Sequence, residues 1–322
     1  MGIKTIAVLT SGGDAPGMNS AVRSVVRSAI DRDMRVMGIY RGYNGLIHGD
    51  VSQLNLRSVS DIINRGGTVL YTARSSEFKT DEGIKKAVET CKLTGIEGVI
   101  VIGGDGSFRG AKKLSDAGIP CIGIPGTIDN DIACTEYSIG FDTAMNTAME
   151  MVDKLRDTAQ SHDRCSIVEV MGRNCGDLAL HIGTAVGAMA ILVPEVPFDV
   201  DEDVVKKMKF SQMMGKKHFI IVMAEGVHGV EDIAAQLKLK TGFDCRKTIL
   251  GHVQRGGSPT LRDRVVASQM GFLAVELLEQ GLGNRVISIK NDKMVHYDIT
   301  DALSMTKDFD MDLYRMAMRI SI

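Results

Sequence analysis

Glycine and aspartate lie together in one short segment that suits phosphate and metal chemistry. Residues 103–107 (Gly-Gly-Asp-Gly-Ser) follow an apolar run, and glycine lets backbone N–H groups approach a phosphate at a helix N-terminus. A carboxylate there would repel the phosphate unless a hard cation lay between them, and Mg²⁺ takes one or two carboxylates with phosphate oxygens. The segment therefore predicts a triphosphate cradle with Asp105 as a Mg²⁺ ligand. A tight strand-to-helix turn in which Asp105 only caps the helix explains the same residues equally well.

A second segment presents carboxylates in a loop where one of them could act as a base. Residues 125–126 (Pro-Gly) turn the chain out of a buried strand, and Thr127, Asp129 and Asp131 follow at once. Phosphoryl transfer needs a group that orients the attacking hydroxyl and accepts its proton, and an aspartate in such a loop is suited to that role. A loop in which both aspartates bond their own backbone is the more frequent explanation of this spacing alone.

Basic side chains in the second half of the chain predict a site for a substrate phosphate. They lie in or beside loops and are Arg164, Arg173, Arg246, His252 and Arg255. The planar guanidinium fork suits phosphate, although each arginine taken alone is more often a surface salt-bridge partner.

Two further features favour a phosphorylated sugar and a second phosphate contact. Glu225, at the end of an apolar run, suits a sugar hydroxyl as well as a capping role at a strand end. Residues 11–13 (Ser-Gly-Gly) offer a second approach to phosphate, and Arg74 could add a positive charge there.

The elements that position these residues alternate between short apolar runs and longer amphipathic stretches. Buried strands are predicted at 6–10, 98–102, 121–124, 166–170, 219–223 and 286–289, and helical spacing indicates helices at 21–30, 144–155 and 265–277. This alternation predicts a parallel α/β sheet. The polar segments follow the strands, where such sheets bind ligands, so we expect them to line one crevice or two facing ones.

Composition excludes several classes of partner. The chain has 322 residues, of which 44% are hydrophobic, and this length favours two domains. Its 38 basic residues are dispersed among 40 acidic ones, so neither a nucleic acid nor a membrane is expected as a partner. The first apolar run is too short for a signal peptide, and the six cysteines are scattered. We therefore expect a reduced, cytoplasmic protein.

Taken together, the motifs resemble those of a known family. They are Leu-Thr-Ser-Gly-Gly-Asp-Ala-Pro-Gly-Met-Asn at 9–19, Ile-Gly-Gly-Asp-Gly-Ser at 102–107, Pro-Gly-Thr-Ile-Asp-Asn-Asp at 125–131, Glu-Val-Met-Gly-Arg at 169–173 and Gly-His-Val-Gln-Arg-Gly-Gly-Ser-Pro at 251–259. In this order they are similar to the signature segments of bacterial ATP-dependent 6-phosphofructokinases and cover essentially the whole chain.

The resemblance implies a role for each site residue. Asp129 would be the catalytic base for the 1-hydroxyl of fructose 6-phosphate, with Thr127 and Arg173 beside the reaction and Asp105 as the Mg²⁺ ligand. The implied ATP contacts are Gly13, Arg74, Ser75, Gly104, Asp105, Gly106 and Ser107. The implied sugar-phosphate contacts are Thr127, Ile128, Asp129, Met171, Gly172, Arg173, Glu225, His252, Val253, Gln254 and Arg255, joined by Arg164 and Arg246 from a neighbouring subunit.

The resemblance also implies an architecture. It consists of two similar parallel-sheet α/β domains with helices on both faces and the active site in the cleft between them. Residues 1–138 with 251–304 would form the larger, ATP-binding domain, and 139–250 with 305–322 the smaller, sugar-phosphate-binding one. The assembly would be a homotetramer whose active and effector sites are shared between subunits.

The effector site is the place where this chain departs from the family. The implied effector residues are Arg23, Arg27, Arg156, Gly187 and Lys216. Met189 stands where relatives have a glutamate, and Met214 stands where they have an arginine. These changes predict a weak or altered response to ADP or phosphoenolpyruvate.

Three other functions remain as alternatives. A pyrophosphate-dependent phosphofructokinase would carry aspartate and lysine where this chain has Gly106 and Gly126, so bare glycine favours ATP. NAD kinases and lipid kinases share the Gly-Gly-Asp-Gly-Ser loop but not the aspartate loop or the His-x-x-Arg segment. A noncatalytic sugar-phosphate sensor would not need both Asp105 and Asp129.

Overall fold

Eleven strands form two sheets in the computed structural model, which describes residues 2–321. Met1 and Ile322, the outer limits of the predicted domains, lie outside the described residues. The strands are β1 (Thr5–Ser11), β2 (Arg35–Ile39), β3 (Val51–Leu54), β4 (Gly98–Gly103), β5 (Cys121–Pro125), β6 (Cys165–Val170), β7 (Ala190–Leu192), β8 (Phe219–Ala224), β9 (Cys245–Ile249), β10 (Arg285–Lys290) and β11 (Lys293–Asp298). All six predicted strands are confirmed.

Helices fill most of the connections between these strands. They are α1 (Met18–Ile30), α2 (Gly42–His48), α3 (Asp81–Thr94), α4 (Asp105–Asp116), α5 (Phe141–Ser161), α6 (Asp177–Ala185), α7 (Lys206–Met213), α8 (Val230–Thr241), α9 (Leu261–Glu279), α10 (Ile299–Ser304) and α11 (Met311–Arg319). Shorter helical turns occur at Glu77–Lys79, Val200–Val205, Glu225–Val227 and Gly251–Arg255. The three predicted helices are confirmed as α1, α5 and α9.

The larger sheet is mixed rather than purely parallel. Its order is β11-β10-β5-β4-β1-β2-β3, and the five inner strands run parallel while β3 and β11 pair antiparallel at the edges. The β10–β11 hairpin turns at Asn291 and Asp292, which both have positive φ, as a tight two-residue turn requires. The smaller sheet, β7-β8-β6-β9, is parallel throughout. The prediction of two parallel sheets is therefore wrong for the edges of the larger one.

Three inner strands of the larger sheet are mostly apolar and buried because helices cover both faces of the sheet. Strands β1, β4 and β5 are buried at every position. Ala7 and Leu9 pack in a core with α2, α3, α4 and α10, while Ile6 and Val8 point to the opposite face, where α1 and α9 contact the sheet. A separate core joins β6, β7 and β8 to α7 and α8.

The chain divides into two compact units. Unit 1 comprises the chain up to Thr143 together with Arg255–Lys307, and unit 2 comprises Ala144–Gln254 and the chain from Asp308. The boundaries at 143, 254 and 307 differ by a few residues from those predicted at 138, 250 and 304. One reason is that α5 runs without a break through the first boundary, so no change in composition marks it. Within residues 2–321, no helix combines the length and apolar composition that a membrane span requires.

Candidate active site

The predicted triphosphate cradle lies in unit 1, where β4 meets α4. The helix begins at Asp105 with Gly104 as its N-cap, and no side chain makes a capping hydrogen bond there. Residues 105–107 form the first helical turn, so the helix-cap explanation of Asp105 is wrong. Ser107 is buried, and its Oγ donates to the carbonyl oxygen of Ser11 at 3.1 Å. This bond holds the two glycine-rich segments side by side.

Two glycines of this segment are not required by the fold. A Cβ atom at Gly104 or Gly106 would meet no heavy atom within 4 Å, and neither residue has a positive φ. At Gly103, by contrast, a Cβ would lie 2.4 Å from the carbonyl oxygen of Ser11. Glycine in a helix costs about 0.5–1 kcal/mol relative to alanine. The open space at Gly104 and Gly106 therefore favours a ligand that approaches the backbone over a simple tight turn.

The charges beside this helix fit a divalent cation. The pKa of the Asp105 carboxyl is raised, first by burial and then by the nearby carboxylate of Asp131, while Arg109 acts in the opposite direction. Two carboxylates that repel each other next to an open backbone are a suitable donor set for Mg²⁺ with phosphate oxygens. Within residues 2–321, no group of three or more His, Cys, Asp or Glu side chains could hold a metal by itself. Mg²⁺ at this place would therefore need oxygens from its ligand.

The first glycine pair lies in a loop that other segments hold in place. Gly12 has a φ of 93°, a conformation that glycine adopts without strain, and Thr72 Oγ1 donates to its carbonyl oxygen at 2.8 Å. The exposed Arg74 follows two residues after Thr72. Ser75 Oγ accepts from the N–H of Phe78 at 3.2 Å, in the helical turn Glu77–Lys79.

Arg255, which was predicted as a sugar-phosphate contact, lies beside this glycine loop. Its Nη1 donates to the carbonyl oxygen of Asp14 at 3.3 Å, and a Cβ atom at Gly13 would lie 2.4 Å from the same nitrogen. The guanidinium therefore adds a positive charge to the first glycine loop in unit 1.

The predicted base lies in a firmly held loop. Asp129 is 1% exposed and the neighbouring Ile128 is fully buried. The turn is made by the Thr127 side chain, whose Oγ1 accepts from the N–H of Asp129 at 3.2 Å. The N–H of Gly126 donates to the carbonyl oxygen of Gly103 at 3.0 Å, so the aspartate loop lies beside the glycine-rich segment.

Residues that sequence reasoning missed hold the other side of the aspartate loop. Ser138 Oγ donates to the carbonyl oxygen of Thr127 at 2.7 Å, and the N–H of Ser138 donates to Asn130 Oδ1 at 3.1 Å. Lys307 Nζ donates to the carbonyl oxygen of Asn130, which has a φ of 51°. Nothing in the local spacing of Ser138 or Lys307 indicates these contacts.

In unit 2, the carboxyl ends of β6, β8 and β9 bring together part of the predicted sugar-phosphate set. Glu225 Oε1 accepts from the N–H groups of Gly172 at 3.2 Å and Arg173 at 2.7 Å. Gln254, which is fully buried, accepts from the N–H of Met171 at 2.8 Å. Glu225 and Gln254 thus fix the backbone of residues 171–173, and the capping role considered for Glu225 is present. His252 and Val253 are exposed in the turn that follows β9.

Arg164 and Arg246 lie at the opposite, amino-terminal ends of the strands in the same sheet. Arg164 precedes β6, Arg246 is the second residue of β9, and both guanidinium groups lie 2.9 Å from Asp244 Oδ2. Hydrogen bonding from Arg246 is the main cause of the lowered pKa of Asp244, a residue that the sequence did not single out. Because β6 has six residues, its two ends are roughly 20 Å apart. The two arginines therefore cannot share a small ligand with residues 171–173 of the same chain.

The predicted effector residues form one group in each unit. Arg23 and Arg27 lie one turn apart on α1, and the pKa of Arg23 is lowered by burial and then by Arg27. In unit 2, Arg156 Nη2 donates to the carbonyl oxygen of Val186, which precedes Gly187. The pKa of Lys216 is lowered by burial and then by Arg156, so these two cations lie close together.

The two methionines of the effector region lie in different surroundings. Met189 is 2% exposed in the core of unit 2, whereas Met214 is 75% exposed. Neither side chain carries a charge, so neither can act as the charged effector contact that the resemblance implies at its position.

Comparison with known families decides the relationship. The model of the family described as Phosphofructokinase matches residues 5–278. The chain belongs to the phosphofructokinase family. The family predicted from the motifs is thereby confirmed.

Curated relatives and a solved structure agree with this assignment. The chain is 57% identical over 320 residues to the ATP-dependent 6-phosphofructokinase of Clostridioides difficile, covering 99% of this chain and 100% of the relative. It is 55% identical, with the same coverage, to the ATP-dependent 6-phosphofructokinase of Halalkalibacterium halodurans. Its fold is similar to the structure of phosphofructokinase from Saccharomyces cerevisiae, with a TM-score of 0.88 and 34% identity over 99% of this chain and 48% of the yeast chain.

Proposed function

We propose that this chain transfers the γ-phosphoryl group of ATP to the 1-hydroxyl of fructose 6-phosphate, giving fructose 1,6-bisphosphate and ADP, the committed step of glycolysis. The observation that carries this proposal is the full-length similarity to relatives named ATP-dependent 6-phosphofructokinase.

The open backbone at Gly104 and Gly106 supports ATP as the donor. Pyrophosphate has two phosphate groups. ATP has in addition an α-phosphate and a nucleoside, which need room in the site. The Cβ positions of both glycines are open, so this room is available on the surface of α4. A carboxylate at position 106 would obstruct the α-phosphate and repel it. Gly13, Ser107, Arg74 and Ser75 complete the proposed ATP contacts.

Asp105 would hold Mg²⁺. The carboxylate of Asp131 is close enough to raise the pKa of Asp105, so it would also contribute to the negative potential at the cation. When bound, Mg²⁺ neutralises charge on the β- and γ-phosphate oxygens and orients the γ-phosphoryl group. The chain's own contribution is to hold the two carboxylates next to an open helix start.

Asp129 supplies the base. As the oxygen of the 1-hydroxyl forms its bond to the γ-phosphorus, the hydroxyl proton passes to an Asp129 oxygen and the bond to the ADP oxygen breaks. Thr127 fixes the turn through the N–H of Asp129, and Arg173 would offset negative charge on the phosphoryl group. Burial of this loop excludes water, which limits transfer of the phosphoryl group to water instead of sugar.

The remaining contacts would hold fructose 6-phosphate. They are Ile128, Met171, Gly172, Glu225, His252, Val253, Gln254 and Arg255. Glu225 and Gln254 act at least partly through the backbone of residues 171–173, which they fix.

Arg164 and Arg246 would serve the active site of another copy of the chain. They lie roughly 20 Å from residues 171–173 along β6, and they form a cationic pair around Asp244. A pair of arginines is the usual partner of a phosphate, here the 6-phosphate of the sugar. This arrangement requires an oligomer, and we propose the homotetramer that the family resemblance implies, acting in the cytoplasm.

A substrate comparison tests the proposed function. The purified chain with Mg²⁺ and fructose 6-phosphate is supplied in turn with ATP and pyrophosphate, and ADP or phosphate release is measured; NAD replaces the sugar in a third reaction. We expect turnover with ATP and fructose 6-phosphate only. Three outcomes would contradict the proposal. Faster turnover with pyrophosphate would indicate a pyrophosphate-dependent enzyme, and phosphorylation of NAD would indicate an NAD kinase. Sugar binding without any turnover would indicate a noncatalytic sensor.

A further inference from the structure

Asp263 is a carboxylate that the proposed mechanism does not use, yet it is fully buried. It lies in the first turn of α9 and accepts four hydrogen bonds from other parts of unit 1. Their donors are the Tyr137 hydroxyl at 2.5 Å, the N–H of Gly140 at 2.7 Å, the N–H of Thr143 at 2.9 Å and the Thr143 hydroxyl. All four lie within one segment of seven residues, 137–143.

Each carboxylate oxygen of Asp263 accepts one backbone N–H group, which can only donate, and one hydroxyl. Every partner is an O–H or N–H donor, so an asparagine would face the same donors with an N–H₂ group in place of one oxygen. Burial raises the pKa of Asp263, and the four hydrogen bonds oppose that shift. The N–H groups of Gly140 and Thr143 belong to the start of α5, where backbone donors have no partner within the helix. Asp263 therefore caps α5 from another helix.

The segment that Asp263 fixes is also the one that holds the aspartate loop. Ser138 lies next to Tyr137, and it bonds the carbonyl oxygen of Thr127 and the side chain of Asn130. Thr127 and Asn130 lie on either side of Asp129. A displacement of residues 137–140 would therefore move both neighbours of the base.

We propose that Asp263 is a positioning residue for phosphoryl transfer, acting through residues 137–140 and Ser138 on the orientation of Asp129. This inference rests on the proposed function, because it needs Asp129 to be the base. Asp263 touches neither substrate, so its loss should change the rate of the chemical step more than the binding of either ligand.

Kinetics of Asp263→Asn test the proposal, since this variant keeps the shape of the side chain. A misplacement of about 1 Å costs on the order of 10²-fold in rate, so kcat should fall by roughly 10- to 10²-fold. KM for ATP and for fructose 6-phosphate should each stay within about threefold. A wild-type kcat in the folded Asp263→Asn protein would overturn the proposal.

Glu97→Gln is the matched control. Glu97 also accepts two backbone N–H groups, those of Lys4 at 2.6 Å and Thr5 at 3.0 Å, but at the amino ends of β1 and β4. It should lower the melting temperature without lowering kcat. If both variants lower kcat in proportion to lost stability, Asp263 is only structural and the proposal fails.

A double-mutant comparison separates positioning from general damage. If Asp263 acts through Ser138, then Ser138→Ala should lower kcat, and the double variant should lose little more than the worse single variant. Losses in kcat that multiply would contradict the proposal.

Should Asp263→Asn fail to fold, Tyr137→Phe removes one of the four donors. A several-fold loss of kcat at unchanged KM supports the proposal, and no loss overturns it. An inactive wild type with both substrates would instead refute the proposed function.

Discussion

Substitution of Gly106 by alanine should make the chain more stable and a poorer user of ATP at the same time. Gly106 lies in the first turn of α4, and the added methyl group would meet no heavy atom within 4 Å. Replacement of a helical glycine by alanine stabilises a protein by about 0.4–1 kcal/mol. The substitution therefore stabilises the fold, and it weakens binding only of a ligand that lies close to this backbone.

The loss in ATP use follows from the proposed phosphate contact. A methyl group at position 106 keeps the phosphate away from the helix start, and a hydrogen bond to a charged group is worth about 1.5–3 kcal/mol. This corresponds to about a 10- to 10²-fold increase in KM for ATP. KM for fructose 6-phosphate should change little.

A matched variant on the same helix has the opposite effect on stability. At Gly110, a Cβ would lie 2.6 Å from Cε2 of Tyr43, so Gly110→Ala should destabilise the chain. Thermal unfolding and steady-state kinetics of both variants are the assay. A Gly106→Ala protein that is more stable but has an unchanged KM for ATP would refute the argument that a phosphate approaches this glycine.

The remaining predictions concern the base, the metal ligand, the arginine pair and regulation. Asp129→Ser should lower kcat by on the order of 10² to 10⁴ with little loss of sugar-phosphate affinity, and near-wild-type turnover would remove Asp129 from the mechanism. Asp105→Asn should raise the melting temperature of the ligand-free chain at neutral pH, because it removes a half-buried charge repelled by Asp131, while it abolishes stabilisation by Mg²⁺ and ATP. Arg164→Ala or Arg246→Ala should weaken the binding of fructose 6-phosphate by about 10- to 10²-fold and the binding of ATP much less. Equal losses in the two binding constants would contradict the assignment of these arginines to the sugar phosphate. Velocity curves with millimolar ADP or phosphoenolpyruvate should show a weak or altered response, since Met189 and Met214 stand where the family resemblance implies charged effector contacts; strong sigmoidal inhibition by phosphoenolpyruvate that ADP relieves would contradict this.

Most inner strands could be predicted because burial on both faces leaves an apolar run in the sequence, whereas the inner strand β2, which starts with the exposed Arg35, was missed. The edge strands could not, since they lack that run. Strand β9 has mostly exposed or half-exposed positions, and its pairing with β6 depends on contacts distant in sequence. The Asn291-Asp292 turn is a local signal that would have revealed the β10–β11 hairpin.

The motifs predicted the site residues but not the contacts that hold them in place. Asp105, Asp129 and Arg173 stand in recognisable segments, whereas Ser138 and Asp263 contribute only through tertiary hydrogen bonds that no spacing reveals. Because β9 was not predicted, Arg246 could not be placed beside Arg164 at the amino-terminal ends of the strands. Their separation from residues 171–173 emerges only from the strand order.

The most direct test of the central claim follows the phosphoryl group itself. ATP labelled with ³²P in the γ-position is incubated with the chain, Mg²⁺ and fructose 6-phosphate, and the labelled sugar product is separated and treated with an aldolase. Our account predicts that the label enters the sugar in equal amount to ADP formed and is recovered in dihydroxyacetone phosphate, which carries carbon 1. Label released as inorganic phosphate, or no label in the sugar while pyrophosphate supports turnover, would contradict it.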